Sequence, residues 1–347
     1  MTVPTWSLEA LLTVAALAAA LLLTELMRRI AVGSGVLDVP NPRSSHGVPT
    51  PRGGGVAIVL VTSAGLTVLA LRGVLRPELL YALIGGGLAV ALVGFVDDRH
   101  SSSAPVRLTV HFAAALWALW WLGGLPPLRV GTHLLTSGWL GYVFGALGIV
   151  WAINLFNFMD GIDGIAASEA IFVAVAGSLA LPVNAGIGLA ALTFAAACGG
   201  FLVWNWPPAR IFLGDVGSGY LGYVIVVLAV ADTRDNPVAL WVWLILGGAF
   251  FVDATVTLVR RTLRNERVHQ AHRSHAYQWL ARRWRSHGKV TLAVLAVDVL
   301  WLLPGALLAA RWPSYAVTAV IVAFVPLALL ALAVGAGRPE DAHSRRS

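Results

Sequence analysis

Apolar stretches long enough to approach the thickness of a bilayer recur along almost the whole chain. No other feature constrains the fold as strongly. A helix needs roughly 20 mostly apolar residues to cross the hydrocarbon core. About eleven stretches come near that length, at residues 8–27, 54–71, 79–96, 108–123, 138–156, 165–182, 184–204, 217–231, 238–259, 290–310 and 315–336. The chain is 58% hydrophobic and 12% charged, whereas soluble domains are about half apolar and a quarter charged. Lipid offers backbone N–H and C=O groups no partners, so each stretch is expected to be helical. The predicted fold class is therefore all-α: a polytopic membrane protein of about eleven transmembrane helices, forming one integral membrane unit over 1–347.

No basic residue precedes the first stretch, Arg28 and Arg29 follow it, and no small-residue cleavage site is evident. This pattern predicts an uncleaved anchor with its N-terminus outside. Nineteen of the 24 lysines and arginines then fall on one side, and the positive-inside rule makes that side cytoplasmic. That side includes a basic loop at 260–289 and a C-terminal tail at 338–347. The net charge of +7 is accounted for by topology and by anionic headgroups or phosphates, not by nucleic acid. The single cysteine, Cys198, excludes an intrachain disulfide framework and a cysteine-rich metal site.

The expected outer loops are short and plain. The cytoplasmic ones are rich in chemistry: DVPNPRSSHGVPTPRGGG (38–55), DDRHSSSAPVR (97–107), NFMDGIDG (157–164), NWPPARIFLGDVGSG (205–219) and the basic loop. Adjacent Asp97 and Asp98 repel one another unless a cation lies between them; taken alone, the pair also fits a solvated helix end. Asp160 and Asp163, each followed by glycine, fit either a turn held by Asx hydrogen bonds or a binding loop. Asp215 sits between glycines, where backbone can approach a ligand. It suits an oxygen-liganded ion such as magnesium, which takes one or two carboxylates and completes its shell with water and phosphate oxygens; a helix N-cap is the alternative. His269, His272 and His275, at intervals of three with Arg273 among them, would share one face if helical. Arginine and histidine together suit a diphosphate better than they suit zinc. An interfacial segment lying on anionic lipid is the competing reading. The Gly53–Gly55 run fits either backbone amides set against phosphate or a plain loop. Jointly these loops point to phosphoryl chemistry on a lipid, carried out at one membrane face.

The same loops, in this order, resemble the polyprenyl-phosphate N-acetylhexosamine-1-phosphate transferases over nearly the whole chain. The resemblance implies a fold of ten or eleven helices with a cytoplasm-facing cleft in a bacterial inner membrane. It implies transfer of a sugar 1-phosphate from a UDP-N-acetylhexosamine to undecaprenyl phosphate, with magnesium (manganese as a substitute) and release of UMP. By motif, Asp97 and Asp98 match the paired aspartates assigned to catalysis. Asp215 and Asn157 match the metal site. Asn205, Asp160, Asp163 and the aromatic Phe212 match the nucleotide end of the cleft, and His272, Arg273 and His275 the sugar-phosphate end. His46 and Arg52 in the first loop join the substrate-binding set.

HRSHAYQ is closest to the branch that initiates O-antigen and related surface glycans, whose donors are GlcNAc or an N-acetylated 6-deoxyhexosamine. The muramyl-pentapeptide enzymes have a denser histidine cluster and are the alternative within the family. Arg99 and Arg107 stand where the family often has lysine, and an arginine stays charged, so it binds phosphate without relaying a proton. Asp97 is expected to orient or deprotonate the lipid phosphate, with Asp98 as covalent nucleophile in the alternative route. A transporter of polyprenyl-linked sugars is the rival from another class. Asp253 and Asp298 within apolar stretches favour it; the lack of inverted repeats does not. A homodimer is compatible with all of this.

Overall fold

The apolar stretches are helices in the computed structural model of the protein, which describes residues 5–40, 47–100, 102–181, 184–266 and 272–339. The first half contains α1 (Thr5–Ser34), α2 (Gly55–Leu71), α3 (Pro77–Tyr81), α4 (Gly87–His100), α5 (Ala104–Leu122), α6 (Leu140–Met159) and α7 (Ile165–Ala180). The second contains α8 (Ala185–Asn205), α9 (Asp215–Asp235), α10 (Ala239–Leu246), α11 (Gly248–Leu263), α12 (Ala276–Trp284), α13 (His287–Val297), α14 (Leu303–Arg311) and α15 (Ala316–Val334). π-helical turns join α3 to α4 and α13 to α14. Two small antiparallel ribbons pair β1 (Leu37–Asp38) with β2 (Thr50–Pro51) and β3 (Leu128–Val130) with β4 (His133–Leu135).

The chain is an all-α polytopic membrane protein, but fewer helices have full spanning length than the apolar stretches suggest. Seven helical units among the described residues are long and apolar enough to cross a membrane. The pair α10 and α11, which meets at 74°, is either a broken eighth span or a re-entrant loop. α2 and α7 are apolar but only 17 and 16 residues long, short of the ~20 that a perpendicular span needs. α5 carries Arg107 and His111 in its first half.

α9 is the axis of the bundle. It is apolar around its circumference, and 94% of its spanning window is buried, as expected of a helix surrounded by helices instead of lipid. Small residues let its neighbours come close. Gly217 meets Gly55 at the start of α2, Gly222 lies against Ala152 of α6, and Gly94 of α4 lies against the backbone of Asp215. A methyl group at any of these contacts would strike backbone. In contrast, α1 and α15 are only 17% and 11% buried over their windows and turn Leu22, Ile321 and Leu329 outward.

Candidate functional site

One end of the bundle gathers the C-terminal ends of α4, α6 and α8 with the N-terminus of α9. A polar cleft of about 320 Å³ opens there. Arg52, Asn157, Asp160, Asp163, Asn205, Phe212, Asp215, His272 and Arg273 all line it, which brings residues far apart in sequence to one place. Asp97, Asp98 and His275 are not among its lining residues. His46 and His269 fall outside the described residues.

The walls are built by side chains that tie loops together. Asn205, 4% exposed, accepts a hydrogen bond from the Gly164 N–H through Oδ1 and donates through Nδ2 to the Ile211 carbonyl, both at 2.9 Å. It thereby joins the 160–164 turn to the 206–214 loop. Asp163 accepts from the Ala209 N–H at 3.1 Å and lies 3.2 Å from His287 Nδ1, while its carbonyl accepts from Thr291. Phe212 is held by its backbone, which pairs with Pro51 and Gly54. Of the two readings of the Gly53–Gly55 run, this pairing favours the plain loop at Gly54 and Gly55. The N–H groups of Gly54 and Gly55 are spent on the carbonyls of Phe212 and Leu213 at 2.9 Å.

Asp98 is a helix cap. Its Oδ1 accepts from the Asp215 N–H at 2.9 Å and its Oδ2 from the Val216 N–H at 3.2 Å, which satisfies two orphan donors of the first turn of α9. Arg52 Nε lies 3.3 Å from the same carboxylate. Gly214, at φ +76°, is needed here because a Cβ would collide with Asp98. With both oxygens so engaged, Asp98 is placed to hold α9, not to attack phosphorus. Asp97 is bound to the Ser102 N–H and to Arg107. Arg107 lies 3.9 Å from Asp215; Arg99 stacks over Phe95 instead.

The histidine motif divides. His272 lines the cleft, with Nδ1 2.9 Å from Ser274 Oγ. His275 is 2% exposed and is the N-cap of α12, in a capping box with Gln278. It is stacked on His272 and Tyr277. Residues 272–275 are not helical, so no common helical face forms there. Asp253 does not reach the cleft: its oxygens accept from the N–H groups of Ala276 and Tyr277 at 2.8 and 3.0 Å. It is the second aspartate that caps a neighbouring helix.

Asp215 and Asn157 occupy the focal position. The Asn157 amide nitrogen donates to Ser218 Oγ at 3.0 Å, leaving the carboxamide oxygen able to meet a cation. Both residues also line a second cavity of about 170 Å³ on the far side of the wall. That cavity is bounded by Val90, Val93, Leu108, Ile153 and Phe158, with Arg107 and His111 as its cationic and imidazole groups. His111 Nδ1 is buried without a hydrogen-bond partner. At the open side, burial pushes the Asp160 carboxyl well above the usual carboxylate range, against the pull of Arg52. Nearby Asp215, Asp98 and Asp163 add to the rise.

Sequence reading missed Ser218, Gln278, His287 and His111 as site residues. Only Gln278 left a signal, standing three residues after His275 as a capping-box partner does. The other three gain meaning from tertiary neighbours alone.

The family model described as glycosyl transferase family 4 matches residues 80–232, which run from α3 into α9 and contain the paired aspartates, Asn157 and Asp215. The chain is 28% identical over 322 residues to a probable undecaprenyl-phosphate N-acetylglucosaminyl 1-phosphate transferase of Bacillus subtilis, covering 88% of this chain and 87% of that one. It is 32% identical over 248 residues to the phospho-N-acetylmuramoyl-pentapeptide-transferase of Moorella thermoacetica, covering 67% and 76%. To the decaprenyl-phosphate N-acetylglucosaminephosphotransferase of Mycobacterium tuberculosis it is 27% identical over 303 residues, covering 77% and 74%. From the identity to the Moorella protein over most of its length, together with the matched motifs, the chain belongs to glycosyl transferase family 4.

Proposed function

We propose that the protein transfers an N-acetylhexosamine 1-phosphate from a UDP-sugar to undecaprenyl phosphate, releasing UMP and initiating a lipid-linked surface glycan. One observation carries this reading above the family resemblance. Asp215 and Asn157 line a polar cleft and an apolar cavity at once. A reaction centre between two such spaces suits one substrate from water and one from the bilayer.

The site fits a magnesium ion. Asp215 brings a carboxylate and Asn157 a carboxamide oxygen to the same cleft, the oxygen donors that such an ion takes. Among the described residues no three His, Cys, Asp or Glu side chains converge as a metal cage. Magnesium needs no such cage, since it keeps water and phosphate oxygens beside one or two carboxylates. Asp215 and the Asn157 oxygen would hold it, and when bound it would neutralise charge on the diphosphate.

The chain's own residues supply position and charge, which dominate phosphoryl transfer. Arg107, fixed by Asp97, reaches the second cavity and would orient the lipid phosphate there. A phosphomonoester with a second pKa of about 6 is largely ionised at neutral pH and needs little help from a base. Arg52, Arg273 and His272 line the donor's cleft. Phe212 offers its ring to the uracil, and Asn205 and Asp163 keep that wall in place.

The test is a membrane assay with magnesium, undecaprenyl phosphate and a panel of UDP-N-acetylhexosamines, reading UMP and lipid-linked product. Turnover is expected with UDP-GlcNAc or a 6-deoxy analogue. Release of UMP from none of them would overturn the proposal. Turnover only with the muramyl-pentapeptide donor would move the protein to the alternative within the family. Leu292, Leu300 and Trp301 on α13–α14 face outward, and no internal repeat supports a transporter.

A further inference from the structure

His111 on α5 is 9% exposed and lines the cavity of about 170 Å³ that Asp215 and Asn157 share with the cleft. Its Nδ1 is buried without a hydrogen-bond partner. A histidine kept only for packing is ordinarily tied to a neighbouring carbonyl or carboxylate, because an unmet buried polar atom costs its desolvation free energy. An imidazole left unpaired beside a cavity is instead available to a ligand.

Five polar side chains line this cavity: Arg107, His111, Asn154, Asn157 and Asp215. Asn154 donates to the Val150 carbonyl at 2.7 Å and Asn157 to Ser218 Oγ at 3.0 Å. Asp215, when ionised, accepts hydrogen bonds only and repels an anion. That leaves Arg107 and His111 as the main donors of the wall. They stand four residues apart on α5, so their side chains share one face of the helix, a turn apart. The charge of Arg107 is partly answered by its pairing with Asp97 and by Asp215 at 3.9 Å.

A phosphate monoester brings three strong acceptor oxygens. Between Val90, Val93, Leu108, Ile153 and Phe158 it has little water to satisfy them, so protein donors have to replace it. His111 can do so without being charged. With Nδ1 enclosed and unpartnered, Nε2 is the nitrogen left to reach a ligand. A neutral ring that carries its proton there is a donor.

We infer that His111 is a binding residue for the acceptor: its Nε2–H donates to an oxygen of the lipid phosphate, one helical turn beyond Arg107. The inference rests on the proposed function, which puts the lipid phosphate in this cavity.

The test uses undecaprenyl phosphate and undecaprenol, which differ only in the phosphate, added to the purified protein in detergent. The rise in unfolding temperature with ligand reports affinity without turnover. Wild type is expected to bind the phosphate form more tightly. Equal binding of the two by wild type would overturn the placing of the lipid phosphate, and this inference with it. His111→Leu is expected to weaken binding of undecaprenyl phosphate by about 10- to 100-fold, as loss of a hydrogen bond to a charged group does. Binding of undecaprenol should hardly change. His111→Gln should recover most of the loss, since its amide donates from a similar reach. In the transfer assay His111→Leu should raise the acceptor KM, with the donor KM changed less than about twofold. Without ligand, His111→Leu is expected to unfold at or above the wild-type temperature, because it removes an unmet polar atom.

A preference for the phosphate form kept in His111→Leu at its wild-type size would overturn this inference and leave the proposed function standing. So would a lower unfolding temperature of ligand-free His111→Leu, which would mark the imidazole as a structural support. Should His111→Leu fail to fold, His111→Met gives the same contrast.

Discussion

Asp98 and Asp215 are 2.9 Å apart from carboxyl oxygen to backbone nitrogen, yet their side chains are placed for different work. Asp98 spends both oxygens on α9, while Asp215 turns its carboxyl toward the cleft and the second cavity. Asp98→Ala is expected to lower the unfolding free energy in detergent by about 1–3 kcal/mol and to lose activity with it. Asp215→Ala should lower transfer about 100-fold or more with no loss of thermal stability. Thermal unfolding and turnover measured on both variants separate cap from ligand. Asp160 gives a pH signature. Burial raises its carboxyl in the folded protein, so the folded state binds the proton more tightly than the unfolded state does. Its stabilising contribution is full below about pH 4, the unfolded carboxylate value, and is lost as pH rises through the folded value. Asp160→Asn should flatten that part of the stability–pH curve of the ligand-free protein. At this scale the loop residues were legible in sequence because each motif is a local run of polar residues ending an apolar one. The caps were not. Asp98 serves a helix 117 residues away, and His275 reads as a ligand until the fold buries it.

Helix packing sets how precisely the site is held. Gly94 lets α4 touch the start of α9 one turn before Asp98, whereas Gly148 on α6 has open space around it. Gly94→Ala is expected to cost about 1–3 kcal/mol, as overpacking does, and to lower transfer by moving Asp98 off α9. Gly148→Ala should leave transfer unchanged and stabilise α6 by a few tenths to about 1 kcal/mol. Equal effects of the two would contradict the close-approach argument. The helices themselves were legible from their apolar runs. Their ability to span was not, because α2 and α7 fall short by a few residues and the bend between α10 and α11 sits inside an uninterrupted apolar run. Such a bend is held by the helices packed around it, which a hydrophobic run does not reveal.

For the molecule as a whole, chemistry is concentrated at one end. That end carries the cleft and the exposed arginines 282, 283 and 285, whereas the opposite end carries the β3–β4 ribbon. Cys198 is buried, so introduced cysteines report sidedness with little background. In intact cells an impermeant maleimide should label His133→Cys and reach Arg283→Cys only after lysis; the reverse pattern would place the cleft outside. The most direct test of the central claim uses UDP-GlcNAc, or whichever donor the panel selects, labelled at the phosphate attached to the sugar. If the protein transfers a sugar 1-phosphate, that label moves into undecaprenyl-linked lipid while unlabelled UMP is released. Label remaining in water-soluble UDP while sugar appears on the lipid would mean glycosyl transfer without phosphate, and would contradict the account.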